Sequence, residues 1–224
     1  MAKILGICAS ARKESTYYAL EKALEAVRAE GVETALLELR GKKIAPCIGC
    51  NLCVKQNHLG CVIYHDDMDP LFTDFDNYDG YLIATPVFDM SIPPLLCSYF
   101  SRFRSNYLVA KNNRDFYLFK PGAAIAVGGT RNGGQESAIN TIHNFYNTNG
   151  IPIVNGGLGI YGGASVWSRD EGCRGAQEDE IGIANAMEIG RKLAKVVLAF
   201  QTANKYIPPD IRGIHKWKTR TIAL

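Results

Sequence analysis

Four of the chain's seven cysteines fall in one short stretch, Cys47, Cys50, Cys53 and Cys61, spaced C-x2-C-x2-C-x7-C. Thiolates gathered this closely can hold an iron–sulfur cluster, hold zinc, or pair as disulfides or a redox dithiol. A cluster needs four thiolates around one space. Three close cysteines and a fourth a few residues on can supply them within a single loop. Zinc more often uses two separated C-x2-4-C pairs or mixed Cys/His sets, and His58 and His65 keep that reading open. Cys47 with Cys50, or Cys50 with Cys53, is the candidate redox pair. The remaining cysteines stand singly. Cys8 and Cys97 are expected as small buried hydrophobes, and Cys173 falls in a polar segment.

Three further stretches carry chemistry. Ser10, Arg12, Ser15 and Thr16 precede or open a helical pattern, where free N–H groups, the dipole and an arginine favour a phosphate. A helix cap on a solvated loop is the plain alternative. Thr85, Pro86, Val87, Phe88, Asp89 and Met90 follow an apolar run and can wall a pocket for a flat ring, or simply pack between strand and helix. Gly129, Thr130, Arg131, Asn132, Gly133, Gly134 and Gln135 form a glycine-rich turn. Its backbone can approach a heterocycle closely and offer N–H groups. The loop between the first strand and its helix carries neither G-x-G-x-x-G nor G-x4-G-K-[ST], so dinucleotide and triphosphate fingerprints are unsupported there.

Alternating elements must position these loops. Buried strands are expected at residues 3–8, 33–39, 81–87, 123–127 and 151–154. Helices are expected at 17–30, 68–75, 94–108, 135–146 and 178–200, with Asp66 or Asp67 capping the second. Strands alternating with helices predict a parallel sheet covered on both faces. Its ligands sit beyond the carboxyl ends of the strands. The 224 residues suffice for one domain. The domain is read as residues 1–200, with the cysteine loop at 46–62. Residues 201–224 hold Lys205, Arg212, Lys216, Lys218 and Arg220 against Asp210, and are read as a basic tail that wraps onto a neighbouring subunit, contacts an acidic redox partner or stays loosely ordered. Hydrophobic residues make up 47% and charged residues 21%, as in soluble globular proteins. A net charge of +3 gives no case for nucleic acid. No apolar run reaches the roughly 18 residues of a membrane span. The N-terminus reads as a strand rather than a signal peptide. A cytoplasmic location follows as an expectation, and disulfides are rare there.

The order strand–SxRxxST–helix, then ATPVF, then GGTRNGGQE resembles the flavodoxin-like FMN reductases and quinone reductases. With the cysteine loop after the second strand, the chain is similar to the iron–sulfur flavoproteins of that superfamily, from Lys3 to about Phe200. The resemblance implies a flavodoxin-like, doubly wound, five-stranded parallel sheet with helices on both faces, carrying FMN and a 4Fe–4S cluster. It implies that Cys47, Cys50, Cys53 and Cys61 ligate the cluster. By position, Ser10, Arg12, Ser15 and Thr16 would hold the FMN phosphate, residues 85–90 would flank the ring, and residues 129–135 would meet its edge. Cys8, Ala11 and Phe88-Asp89 depart from the commoner family pattern, and Asp89 and Arg131 are the polar residues expected nearest the ring. The implied activity is electron transfer between a ferredoxin-like carrier and a small-molecule acceptor, in a homodimer or homotetramer. A reductase that uses NAD(P)H on quinones, nitro or azo compounds, a small-metabolite dehydrogenase, and a non-catalytic zinc or thiol sensor are the alternatives.

Overall fold

The computed structural model describes residues 1–207. In chain order it runs β1 (Lys3–Cys8), α1 (Ser15–Ala29), β2 (Glu33–Glu38), α2 (Leu52–Lys55), α3 (Met68–Phe75), β3 (Gly80–Pro86) and α4 (Pro94–Ser101). A 3-10 turn (Arg102–Ser105) follows, then α5 (Asn106–Asn112), β4 (Gly122–Gly128), α6 (Gln135–Asn149), β5 (Ala164–Trp167), α7 (Gly172–Glu178) and α8 (Glu180–Tyr206). The strands form one parallel sheet in the order β2-β1-β3-β4-β5. This is the flavodoxin-like order, with its topological switch between β1 and β3.

Strands β3 and β4 are buried along almost their whole length, as expected for central strands covered on both faces. On one face, Ala19, Leu20, Ala23, Leu24 and Val27 of α1 recur at helical spacing and pack with Ile189, Leu193 and Val197 of α8. Gly190 lets α8 approach α1 closely, since a Cβ there would sit 2.4 Å from the Ala23 carbonyl oxygen. On the other face, Phe75, Tyr81, Phe103 and Phe145 form an aromatic core. Tyr146 lies over Gly122 and donates its hydroxyl to the Ala123 carbonyl at 2.9 Å.

Three expected elements differ. The fifth strand is Ala164–Trp167, not residues 151–154. Residues 151–154 touch the start of β4, with Gly122 N–H donating to the Pro152 carbonyl and Val154 N–H to the Gly122 carbonyl. Pro152 has no N–H for a ladder, and the glycine-rich residues 155–163 then leave the sheet before β5 resumes the same edge at Ile125. The expected helix at 94–108 is two helices joined by the 3-10 turn, which changes the direction in which Arg102 and Ser105 point relative to a continuous helix. Helix α8 runs on to Tyr206, so the first residues of the expected tail are helical, and its remaining basic residues lie outside the described residues. No described helix is long and apolar enough to cross a membrane.

Candidate functional site

All strands run parallel, so the turns after β1, β2, β3, β4 and β5 meet along one edge of the sheet. The turn after β1 brings Ser10 and Arg12 to the start of α1. Ser10 Oγ accepts from Arg12 N–H at 3.1 Å, which shapes the turn. The first N–H groups of α1 carry no side-chain cap, and its first turn holds no acid. Ser15 is half-buried and Thr16 buried. The Arg12 guanidinium is exposed and lies 3.5 Å from the Glu14 carboxylate.

After β3, Thr85 is buried and donates its hydroxyl to the Pro86 carbonyl at 2.9 Å. Phe88 and Ser91 exchange two backbone hydrogen bonds around Asp89 and Met90, both in the left-handed region at φ 47° and 61°. This turn leaves Phe88 50% and Met90 63% exposed, an apolar surface on the same edge. Asp89 is exposed as well.

The glycine turn after β4 is closed by its own sequel. Gln135, buried at 3% exposure, donates Nε2–H to the Thr130 carbonyl at 2.6 Å and accepts the Gly133 N–H at 2.8 Å. Gly134 adopts φ +101°, and a Cβ there would sit 2.5 Å from Met90 Cα, so this turn and the Phe88–Ser91 turn touch. Arg131 and Asn132 are exposed. Trp167 was not among the expected contacts. Its indole N–H donates to the Gly129 carbonyl at 2.8 Å, and the Arg131 and Arg169 guanidinium carbons each lie 4.6 Å from its ring centroid. A tryptophan at the end of a short alternating run was the available signal.

The cysteine loop follows β2 on the same edge. Cys47, Cys50, Cys53 and Cys61 border one small cavity together with Tyr64, Arg102 and Arg104. Gly49 N–H points at Cys47 Sγ, and Ile63 and Tyr64 N–H groups point at Cys61 Sγ, each at 3.4 Å. Among the described residues, no three Cys, His, Asp or Glu side chains converge on a position for a single metal ion. Four thiol side chains around one cavity are a donor set that fits an iron–sulfur cluster.

Residues of α4 and the 3-10 turn hold this loop. Ser101 Oγ accepts from Cys47 N–H at 3.0 Å and Ser105 Oγ from Gly60 N–H at 2.9 Å. Arg104 Nε donates to Asn51 Oδ1 at 2.9 Å. Arg102 reaches Asp66 Oδ2 at 2.7 Å, the Ala45 carbonyl at 3.0 Å and the Tyr64 carbonyl at 3.1 Å. Asp66 also accepts from Ala45 N–H at 2.9 Å and Met68 N–H at 3.0 Å. It therefore does cap the start of α3 while stapling the loop, whereas Asp67 makes no side-chain cap. Burial by itself would raise the Asp66 carboxyl, but the hydrogen bonds from Arg102, Ala45 and Met68 and the Arg102 charge outweigh it and hold it below the usual carboxylate value. Of the single cysteines, Cys8 is buried and burial pushes its thiol up, whereas Cys97 is exposed because its helix turns that position outward.

Residues 2–164 match the NADPH-dependent FMN reductase family. An iron–sulfur flavoprotein of Archaeoglobus fulgidus is 40% identical, covering 87% of this chain and 96% of its own. One of Methanocaldococcus jannaschii is 38% identical, covering 81% of this chain and 89% of its own. Among solved structures, a flavone reductase superposes with a TM-score of 0.65 at 21% identity, covering 90% of this chain and 65% of that one, which speaks for the fold alone. A shared FMN reductase sheet and a four-cysteine cavity on its ligand-binding edge agree with these matches: the chain belongs to the NADPH-dependent FMN reductase family and, within it, to the iron–sulfur flavoproteins, FMN-dependent oxidoreductases.

Proposed function

We propose that this flavoprotein passes electrons between a one-electron carrier of the ferredoxin type and a small-molecule acceptor, using FMN and a 4Fe–4S cluster. The observation that carries the proposal is the cavity bordered by Cys47, Cys50, Cys53 and Cys61, hung on the same sheet edge as the three candidate flavin turns. When bound, FMN exchanges one or two electrons and the cluster one, so the pair can convert single electrons into hydride-equivalent steps.

The chain's own residues bind and orient. Ser10, Ser15, Thr16 and the uncapped N–H groups of α1 would hold the FMN phosphate, with Arg12 exchanging its Glu14 contact for the phosphate. Thr85, Pro86, Val87, Phe88, Asp89 and Met90 would wall the ring. The turn from Gly129 to Gln135, with Thr130, Arg131, Asn132, Gly133 and Gly134, would meet its edge through backbone N–H groups that Gln135 holds in place. No side chain is assigned as acid or base. The proposal includes a single FMN-binding domain and assembly as a homodimer or homotetramer.

Anaerobic purification followed by a reduced-minus-oxidised spectrum with iron and flavin counts tests it. Flavin bands, a broad iron–sulfur shoulder and about four irons per chain are expected. A colourless protein holding one zinc overturns it. The family description favours a second reading, direct reduction by NADPH. Rapid NADPH oxidation without any carrier would select that reading.

A further inference from the structure

Arg102 is only 4% exposed, although it carries a permanent charge. Both terminal nitrogens have hydrogen-bond partners. Nη1 serves Asp66 Oδ2 and the Ala45 carbonyl, and Nη2 serves the Tyr64 carbonyl. Ala45 precedes Cys47 and Tyr64 follows Cys61, so one guanidinium ties the two ends of the cysteine loop together. The third nitrogen is different. Nε is buried and has no hydrogen-bond partner. A buried donor left in that state has lost its hydration with nothing in return. Arg102 also lines the cavity that the four cysteines border. Arg104 lines it too, but its Nε is spent on Asn51 Oδ1.

We infer that Arg102 is a positioning residue of the iron–sulfur site, whose Nε–H donates to a cluster sulfide or cysteine thiolate and makes the site easier to reduce. The inference rests on the cluster reading above. Sulfur is the acceptor that this cavity supplies, and hydrogen bonds to sulfur are among the levers that set a cluster's potential. Asp66 offsets much of the guanidinium charge at 2.7 Å, so the directed N–H, more than the net charge, carries the effect. Added negative charge on the sulfurs of the reduced site strengthens the bond, which is why the reduced state gains more from it.

Two measurements test this on the intact holoprotein. The first is pulsed EPR of the reduced protein labelled with 15N-arginine, in the Arg104→Lys background, so that Arg102 is the labelled residue at the cavity. A nitrogen coupling to the cluster spin is expected, and its absence overturns the inference. The second is the cluster midpoint potential of Arg102→Met combined with Asp66→Asn, which removes both charges of the close pair and leaves only the solvent-exposed Asp69 carboxylate, 3.9 Å from Nη2, without its arginine. At fixed potential, the reduced fraction relative to the oxidised should fall at least tenfold, about 59 mV for one electron. Full iron content with an unchanged potential overturns the inference. Should the double variant lose iron, the nitrogen coupling alone decides. Parent protein without iron would sink the cluster reading itself, whereas an iron-replete parent with no coupling sinks only the role of Arg102.

Discussion

Gln135 holds the Thr130 carbonyl at 2.6 Å with its side-chain amide, closing the glycine turn from the helix that follows it. The same amide receives the Gly133 N–H, so a single buried side chain sets the shape of the turn. Gln135→Ala frees both backbone groups. FMN affinity should fall about tenfold, the equivalent of one or two lost hydrogen bonds. Flavin fluorescence titration reads this directly. Native affinity in a folded variant would remove this turn from the flavin site.

Arg12 has an exposed side chain and, among the described residues, Glu14 as its one ionic partner. Arg12→Ala should leave the melting temperature within a degree or two, since exposed pairs contribute little. It should weaken FMN retention about tenfold through loss of a charge-assisted phosphate contact. Flavin occupancy after gel filtration checks the second part. Undiminished occupancy would return the residue to the role of a solvated helix neighbour.

Cys50 is exposed, and it borders the cysteine cavity without receiving any of the N–H contacts described for Cys47 and Cys61. Cys50→Ala should abolish the iron content and leave FMN bound. Iron analysis and the flavin spectrum of one preparation separate the two. Joint loss of both cofactors would make the loop a support for the fold as a whole.

Asp66 links the cysteine loop to α3 and to Arg102. Its folded carboxyl titrates below the ordinary value of 3.8. The group's contribution to stability is therefore complete above the unfolded value, and it is lost as pH falls through the lower folded value. Loop protection in hydrogen exchange should hold at pH 5 and decline below about pH 4. Asp66→Asn leaves Arg102 with the more distant Asp69, 3.9 Å from Nη2, as its carboxylate partner, and should lower unfolding free energy by about 1.5–3 kcal/mol, the worth of a hydrogen bond to a charged group. Urea denaturation measures that loss, and Asp67→Asn, at an exposed backbone contact, should change it far less.

Much of the sheet was legible because its central strands are uninterrupted apolar runs, as at residues 81–84 and 123–127. Edge strand β5 was not. It has four residues, and only Ala164 and Val166 face the core, a pattern too short to stand out beside the more apolar residues 151–154. The cysteine spacing and the three turns could be read locally, since each lies within a few residues of sequence. The support for the cysteine loop could not, because Ser101, Arg102, Arg104 and Ser105 lie 36 to 57 residues from the backbone groups and side chains they hold. One clue was present. An arginine at 102 inside the run from Leu95 to Phe103 interrupts an apolar face, and a charge there needs buried partners.

Ser101, Arg102, Arg104 and Ser105, which hold the cysteine loop, come from one helical segment, which begins three residues after Ser91 closes the Phe88 turn. Spacing between the loop and that turn is consequently metered by helical rise, about 1.5 Å per residue, with no slack to absorb a change. One residue inserted between Pro94 and Ser101 would swing Ser101 and Arg102 by about 100° around the helix axis. Every cysteine and every flavin-turn residue would still be present, yet the two halves of the site would no longer be in phase. On the function proposed above, length within this helix, as much as any ligand side chain, would calibrate the separation between cluster and flavin.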